Sequence, residues 1–351
     1  MLLKSDEVRK RVSLANWPKR KSLTDKKRVL GSMVGGRFAP VRKAPATTVQ
    51  TFEAALLYSD SWTDYYMPYG VATFQNESPV TFKQVFENED CPQVGGGFFT
   101  DKYYYLTTYS EDYFTGELEV YTIVYDKTTW EEVAEQPQEV TAMATDLTYD
   151  AVDDLAYGCF YTDNGVAWGY MNPNDLSVTH LGDLKGELVA VAANSRGEVY
   201  AITNSGYFVK VNKKTGKLTP IGHTGLFPAY MQTATFGNDG VFYWAASLKD
   251  DSSSLYMVDL TTGAASLVTE FPNNEEIVAL YARPGAPSDD APAKMGAPTL
   301  SFAADVLTGT VVFTVPTKTV GGSELSGDVG YVVTVDGEDN IQVNGSRSFK
   351  V

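Results

Sequence analysis

The chain has 351 residues and a net charge of −16, with 22 Tyr, 17 Phe, 5 Trp, 30 Gly and 16 Pro. That length exceeds one typical domain, and the aromatic, turn-rich composition is that of a mainly β protein rather than a helical one. The charge is lopsided: residues 1–43 hold thirteen Lys or Arg against Asp6, Glu7 and Asp25, a net of +10 that leaves −26 for the rest. An acidic body argues against nucleic acid as its ligand, because affinity for phosphate backbones needs clustered cations.

Residues 1–50 mix Lys, Arg, Ser, Pro and Gly without sustained periodicity. They predict a basic, disordered leader that ends in the linker RFAPVRKAPATTVQ, with a short helix over Glu7 to Leu14 as its one candidate element. The arm could bind an anionic surface, although a solvated leader is the preferred reading. The start, MLLKSDEVRKRV, lacks the apolar core of a secretory signal and, taken alone, places the protein in the cytoplasm. No stretch reaches the ~18 apolar residues of a membrane span.

From Phe52 the text repeats. A strand running into an Asx turn recurs as IVYDKTTW, YMNPNDLS, VKVNKKTGK and YMVDLTTGA, placing Asp126, Asn172, Asn212 and Asp259 at intervals of 46, 40 and 47 residues. A short aromatic strand after a polar turn recurs as TDKYYYLTT, VDDLAYGCF, RGEVYAITN and NDGVFYWAA, with Tyr105, Tyr157, Tyr200 and Tyr243 at intervals of 52, 43 and 43. A small, apolar segment leads each unit: EVTAMAT at 139–145, ELVAVAA at 187–193, MQTATFG at 231–237 and EEIVALYA at 275–282. It has the character of an inner strand crowded near an axis.

Four short antiparallel strands per 40–50 residues is the pattern of a β-propeller, whose face-to-face blades leave only short, protected edges. Clear units fall at about 91–140, 141–186, 187–227 and 228–275, with a weaker first unit at 52–90. EEIVALYA, arriving after the last complete unit, could close the ring by joining the first sheet. Five blades is the expectation, with six as the alternative. In the turns, Asx side chains bond the backbone two residues on, and the Gly of KKTGK and LTTGA accepts positive φ.

RPGAPSDDAPAKMGAP, at 283–298, then reads as a linker. After it, TLSFAADVLTGTVVFTVPT and GYVVTVDGED read as the opening strands of a β-sandwich, cut off short of the roughly 100 residues an immunoglobulin-type fold needs. The expected organisation is a leader at 1–50, a propeller at 51–284, a linker at 285–297 and an incomplete sandwich at 298–351.

Chemistry-bearing motifs are sparse. His180 and His223 are the only histidines, neither lies in HExxH, and His223 in IGHTG reads as a turn residue. Neither GxSxG nor a Walker A motif occurs, and Gly95–Gly97 reads as the lead-in to a blade. Asp153 with Asp154 and Glu275 with Glu276 read as turn and strand-edge acids rather than a hydrolytic pair. Cys91 and Cys159 fit no zinc or redox spacing; two buried free thiols are expected, with one bridge as the alternative. The predicted catalytic, metal and cofactor sets are therefore empty. One segment has a binding character: YSDSWTDYYMPYG, at 58–70. Flat rings beside acids and hydroxyls suit sugar recognition, which makes Trp62, Tyr65 and Tyr66 the candidates, although Tyr favours strands regardless.

Several of these features, the TTG and KTG hairpins, IGHTG at 221–225, the closing IVALYARP, GTVVFTVPTKTVGGSELSG and YVVTVDGE, together resemble a group of Bacteroidetes surface or secreted proteins that place a small β-propeller before fibronectin type III modules. The resemblance spans about residues 50–351. It departs where strand B of that module often carries a core Trp and this chain has Phe313. The resemblance implies an extracellular or cell-surface location, against the literal N-terminus. The functional expectation is a non-enzymatic binding or adhesion protein for a glycan or protein ligand. The alternatives are a carbohydrate-active enzyme with paired carboxylates at the axis, and a structural surface-layer protein. Oligomeric state stays open.

Overall fold

The computed structural model describes residues 42–43, 49–59, 70–87, 94–111, 118–162, 165–229 and 231–283, and beyond them 299–302, 309–312, 316–318, 324, 330–335, 338–344 and 348–350. The candidate helix at Glu7 to Leu14, Trp62, Tyr65, Tyr66, Cys91 and Phe313 lie outside the described residues. The chain divides into two compact units, Met1–Pro284 and Gly285–Val351.

The first unit opens with β1 (Arg42–Lys43). Blade 1 holds β2 (Thr51–Tyr58), β3 (Gly70–Gln75) and β4 (Lys83–Glu87). Blade 2 holds β5 (Val94–Phe99), β6 (Tyr103–Glu111), β7 (Leu118–Asp126) and β8 (Glu132–Gln138). Blade 3 holds β9 (Ala144–Asp150), β10 (Leu155–Thr162), β11 (Gly165–Met171) and β12 (Val178–Leu184). Blade 4 holds β13 (Leu188–Ala193), β14 (Val199–Thr203), β15 (Tyr207–Val211) and β16 (Leu218–His223). Blade 5 holds β17 (Thr233–Phe236), β18 (Phe242–Ser247), β19 (Ser253–Val258) and β20 (Ala265–Glu270). β21 (Glu276–Ala282) then returns to blade 1 as its innermost strand, giving the order β21-β2-β3-β4 with Phe52 opposite Ala282. The ring closes by joining the two ends of the repeat in one sheet, as EEIVALYA suggested, and the blades number five.

Successive strand residues face opposite sides, so each blade sends alternate side chains to its two neighbours. Phe98 packs with Leu147 and Phe160 of blade 3, whereas Phe99 packs with Ala55 and Val71 of blade 1. Further seams join Tyr157 and Trp168 to Val199 and Val209, Ile202 and Phe208 to Phe242 and Trp244, and Tyr243 and Leu255 to Phe52. Burial on both faces explains why β18, FYWAAS, is buried at every residue. The outermost strands meet water and read accordingly, as in EVAEQPQ of β8.

Two details differ from the expectation. EVTAMAT is not the inner strand of blade 3: Val140–Ala142 form a 3₁₀ turn, and the inner strand is ATDLTYD. The segment's apolar residues serve the crossover from blade 2 instead, with Met143 packed against Tyr109 and Val120. Gly95–Gly97 lie inside β5, the inner strand of blade 2, rather than leading into it. A Cβ at Gly96, where φ is +106°, would stand 3.0 Å from the Ala144 carbonyl oxygen, so backbone replaces side chain where inner strands meet.

β1 pairs in parallel with β20, Arg42 opposite Ser266, adding a fifth strand to blade 5. In the second unit β22 (Thr299–Phe302) pairs with β23 (Gly309–Val312), which pairs with β26 (Ser348–Lys350). There β24 (Gly330–Val335) and β25 (Glu338–Asn344) form a separate hairpin. Among the described residues no helix is long and apolar enough to cross a membrane.

Candidate functional site

The propeller has two ends of different character. At one end, the turn end, lie the connections from first to second and from third to fourth strands. The Asx turns form as expected: Asp126, Asn172, Asn212 and Asp259 accept the backbone N–H two residues on at 2.8, 3.0, 3.1 and 2.8 Å. Such backbone donors hold the Asp126 and Asp259 carboxyls below the usual carboxylate range.

The residue after the Asx reaches into the preceding blade. Lys127 pairs with the fully buried Glu53 of blade 1 at 2.7 Å, its Nζ lying 4.4 Å from the Tyr281 ring centre and 5.3 Å from that of Phe99. Arg283 Nε bonds the other oxygen of Glu53 at 2.6 Å, which ties the closing strand to the same carboxylate. Lys213 likewise pairs with Asp150 at 2.7 Å and Asp153 at 2.6 Å in blade 3. The Asp153 carboxyl, though partly buried, is held low by Lys213 and the Tyr157 hydroxyl. Tyr281 donates to Asp101, and burial followed by that bond raises its hydroxyl pKa. Leu260, the counterpart in blade 5, joins the seam with blade 4.

The turn glycines are docking surfaces as well. A Cβ on Gly216, at φ +69°, would sit 2.5 Å from Trp168 Cβ, and the Thr262 turn of blade 5 packs so closely on β16 that a Cβ on Gly222 would sit 1.9 Å from the Thr262 carbonyl oxygen. Trp168 Nε1–H donates to the Lys213 carbonyl at 2.9 Å, seating the KTG turn on blade 3.

Along the axis, inner-strand side chains accept from the backbone of neighbouring blades. Val191 N–H donates to Asp146 Oδ2 at 2.7 Å, Ala193 N–H to Thr148 at 3.0 Å, Leu280 N–H to Thr233 at 3.0 Å and Met231 N–H to Glu276 at 2.7 Å. Thr145 closes the set by donating to the Leu188 carbonyl at 2.6 Å. The Oδ1 of Asp146 has no hydrogen-bond partner, and full burial pushes this carboxyl well above its ordinary range despite the bonds it accepts. Cys159 is a buried free thiol, pushed up to about 12 by its burial. Among the described residues no cluster of three or more His, Cys, Asp or Glu side chains could hold a metal ion.

At the opposite end, the loop end, lie the connections from second to third strands and from blade to blade. Trp62, Tyr65 and Tyr66, between β2 and β3 in sequence, lie outside the described residues. The described part of this end carries an aromatic group that sequence reasoning missed. Tyr207 and Phe227 are 47% and 45% exposed. Between them stands His223, its ring 4.9 Å from Tyr207 and 5.7 Å from Phe227, centre to centre. Gly225 N–H donates to His223 Nδ1 at 2.9 Å, and its Nε2 lies 3.1 Å from the Ser205 carbonyl, which assigns the proton to Nε2. The turn reading of His223 thus describes its backbone role, while its ring also bridges two exposed aromatics. A signal was present in IGHTGLF, where the repeat acquires residues its other copies lack. Tyr149 and Asp154 at the turn end, and His180 beside the Thr141 carbonyl, are occupied by local bonds.

No protein-family model and no curated protein matches the chain. Solved structures resemble it distantly. TolB from Acinetobacter baumannii aligns at 11% identity and a TM-score of 0.40, over 78% of this chain and 65% of that one, so the chain spans just under two thirds of TolB. A chain of the nidogen/laminin complex aligns at 11% identity and a TM-score of 0.40, over 66% of this chain and 97% of that one. A structural-genomics protein of unknown function from Bacteroides thetaiotaomicron aligns at 12% identity and a TM-score of 0.36, over 76% of this chain and 59% of that one. What the fold itself defines is a five-bladed β-propeller joined to a second β unit.

Proposed function

We propose that this chain is a non-enzymatic, extracytoplasmic binding or adhesion protein whose propeller presents a glycan or protein ligand face at its loop end. In this reading residues 1–50 are a leader, 51–284 the propeller, 285–297 a linker, and 298–351 part of a fibronectin type III-like spacer. The organisation is that of the Bacteroidetes surface proteins the sequence resembles. The observation that carries the reading is the contrast between the ends. The buried acids of the turn end and axis serve as partners for lysine, arginine or backbone N–H groups, whereas the loop end offers exposed rings. Trp62, Tyr65 and Tyr66, between β2 and β3 in sequence, are the proposed ligand contacts.

The test is a screen of the full chain against glycan and protein arrays, with Trp62→Ala, Tyr65→Ala and Tyr66→Ala beside it. Saturable binding weakened by these changes is the expected result. Sustained hydrolysis of a glycan or peptide would overturn the non-enzymatic reading in favour of acid-pair chemistry. Strong self-association without any ligand would favour a structural surface-layer role.

A further inference from the structure

We infer that the rim between blades 4 and 5 carries a carbohydrate subsite built on Tyr207, His223 and Phe227, distinct from the segment that holds Trp62. The inference rests on the ligand-binding reading of the loop end and deepens it by naming the ligand as a glycan.

The chain constructs this patch deliberately at the backbone level. Gly206, at φ +83°, lets the β14–β15 turn lie against the link to blade 5: a Cβ there would meet the Leu226 carbonyl oxygen at 2.3 Å and His223 Nε2 at 3.1 Å. Thr224 fastens the same approach, its hydroxyl donating to the Gly206 carbonyl at 2.9 Å. Gly225, at φ +87°, turns the link back so that its N–H meets the His223 ring. Phe227 is then pinned through its carbonyl, which accepts from Lys249 N–H at 3.1 Å. The backbone that carries the rings is thus fixed before any ligand arrives, which limits the ordering entropy that binding must overcome.

The exposed groups match a sugar. Tyr207 stands nearly perpendicular to His223, at 85°, and Phe227 is tilted 58° from it, so the rings present surfaces in different planes. Pyranose C–H faces pack on such rings while hydroxyls seek donors and acceptors at the margin. Those lie close in sequence on both sides: Asn204 and Ser205 before Tyr207, and Lys249 and Asp250 across the seam, all exposed. Lys249 Nζ lies 5.9 Å from the Phe227 ring centre. Two rings separated by an imidazole, bordered by amide, hydroxyl, ammonium and carboxylate, offer no continuous apolar groove for a helix. The acidic body disfavours a polyanion.

The experiment is titration calorimetry of the full chain with a panel of neutral hexose and pentose oligosaccharides. The variants are Tyr207→Ala, Phe227→Ala, the double variant and Trp62→Ala, each checked for an unchanged thermal midpoint. Each rim change should weaken binding on the order of tenfold, as loss of one aromatic contact implies, and the double change should abolish it. Tyr207→Phe should keep most of the affinity, because the ring is retained. Glycan binding unchanged in the double variant but lost in Trp62→Ala would overturn the rim subsite while leaving the loop-end reading intact. Binding of a protein ligand with no response to any oligosaccharide would overturn the carbohydrate assignment alone. No ligand of either kind would bring down both.

Discussion

The turn end and the loop end use the same residue types for opposite purposes. At the turn end Gly216 and Gly263 bring neighbouring blades within contact of one another, Gly263 against Gly222 of β16, and lysines that follow the Asx residues are drawn into the seam with the preceding blade. At the loop end Gly206 also permits a close approach, but what it brings forward is a histidine flanked by half-exposed rings. One end spends its polar chemistry on assembly and the other leaves it accessible. The difference follows the repeat: the Asx turn recurs in blades 2 to 5, closing on Trp130, Leu176, Gly216 and Gly263 at positive φ, whereas IGHTGLF occurs once.

That contrast breaks first where a glycine faces backbone. Gly222→Ala places a methyl 1.9 Å from the Thr262 carbonyl oxygen, which cannot swing aside, and should cost about 3 kcal/mol or more. Gly240→Ala is the control: φ is +74° but nothing lies within 4 Å, so only backbone strain of about 1 kcal/mol is expected. Urea unfolding of the two variants decides the matter; equal losses would end the account of Gly222 as the seat of the Thr262 turn. Glu53→Gln comes next. It strips a fully buried carboxylate from Lys127 and Arg283 and should cost on the order of 3 kcal/mol, read as a lowered thermal midpoint. Arg283→Ala should cost less, because its side chain is 49% exposed and solvent already screens it.

The ring was legible because its physics is periodic. Asx turns recur in sequence where third and fourth strands meet in blades 2 to 5, and β21 announced itself as a surplus inner strand. The inner strand of blade 3 was misplaced for a physical reason: EVTAMAT is small and apolar like an inner strand, but its apolar residues pack in a crossover. ATDLTYD carries the polar Thr145, Asp146 and Thr148 at its core positions, and each of them bonds the backbone of blade 4. The rim cluster was hidden because Tyr207, His223 and Phe227 come from two separate segments that only the β15–β16 pairing and the turn at Gly206 unite. The Trp62 segment was visible as composition alone.

Asp146 sharpens the comparison in another way, because the axis holds a carboxyl whose pKa burial raises well above its ordinary range. A group whose folded pKa is raised binds its proton more tightly than in the unfolded chain, so stability falls as pH rises above the ordinary value of 3.8 toward the folded one. Asp146→Asn removes that ionisation and keeps an oxygen for the Val191 N–H. The variant should therefore gain in stability over the parent as the pH rises, with the gap narrowing toward pH 4. Denaturant midpoints collected across that range read the slope directly, and parallel curves for the two proteins would show that the axis carboxyl ionises without cost.

The smallest effect on stability is expected at the rim. Tyr207 and Phe227 already expose nearly half their surface, so Tyr207→Ser with Phe227→Ser removes little buried area, and Leu226 and Thr224 still close the seam beneath. The double variant should stay within about 1 kcal/mol of the parent. Trp168→Ala, by contrast, empties a fully buried site between blades 3 and 4 and should cost about 3–5 kcal/mol. Should the rim pair prove as costly as Trp168, its rings would be acting as a seam like any other, and their exposure would owe nothing to a ligand. If instead the rim pair is removed at almost no cost to folding, then stability gives no reason for two aromatic rings to be held in water by two glycines and a histidine.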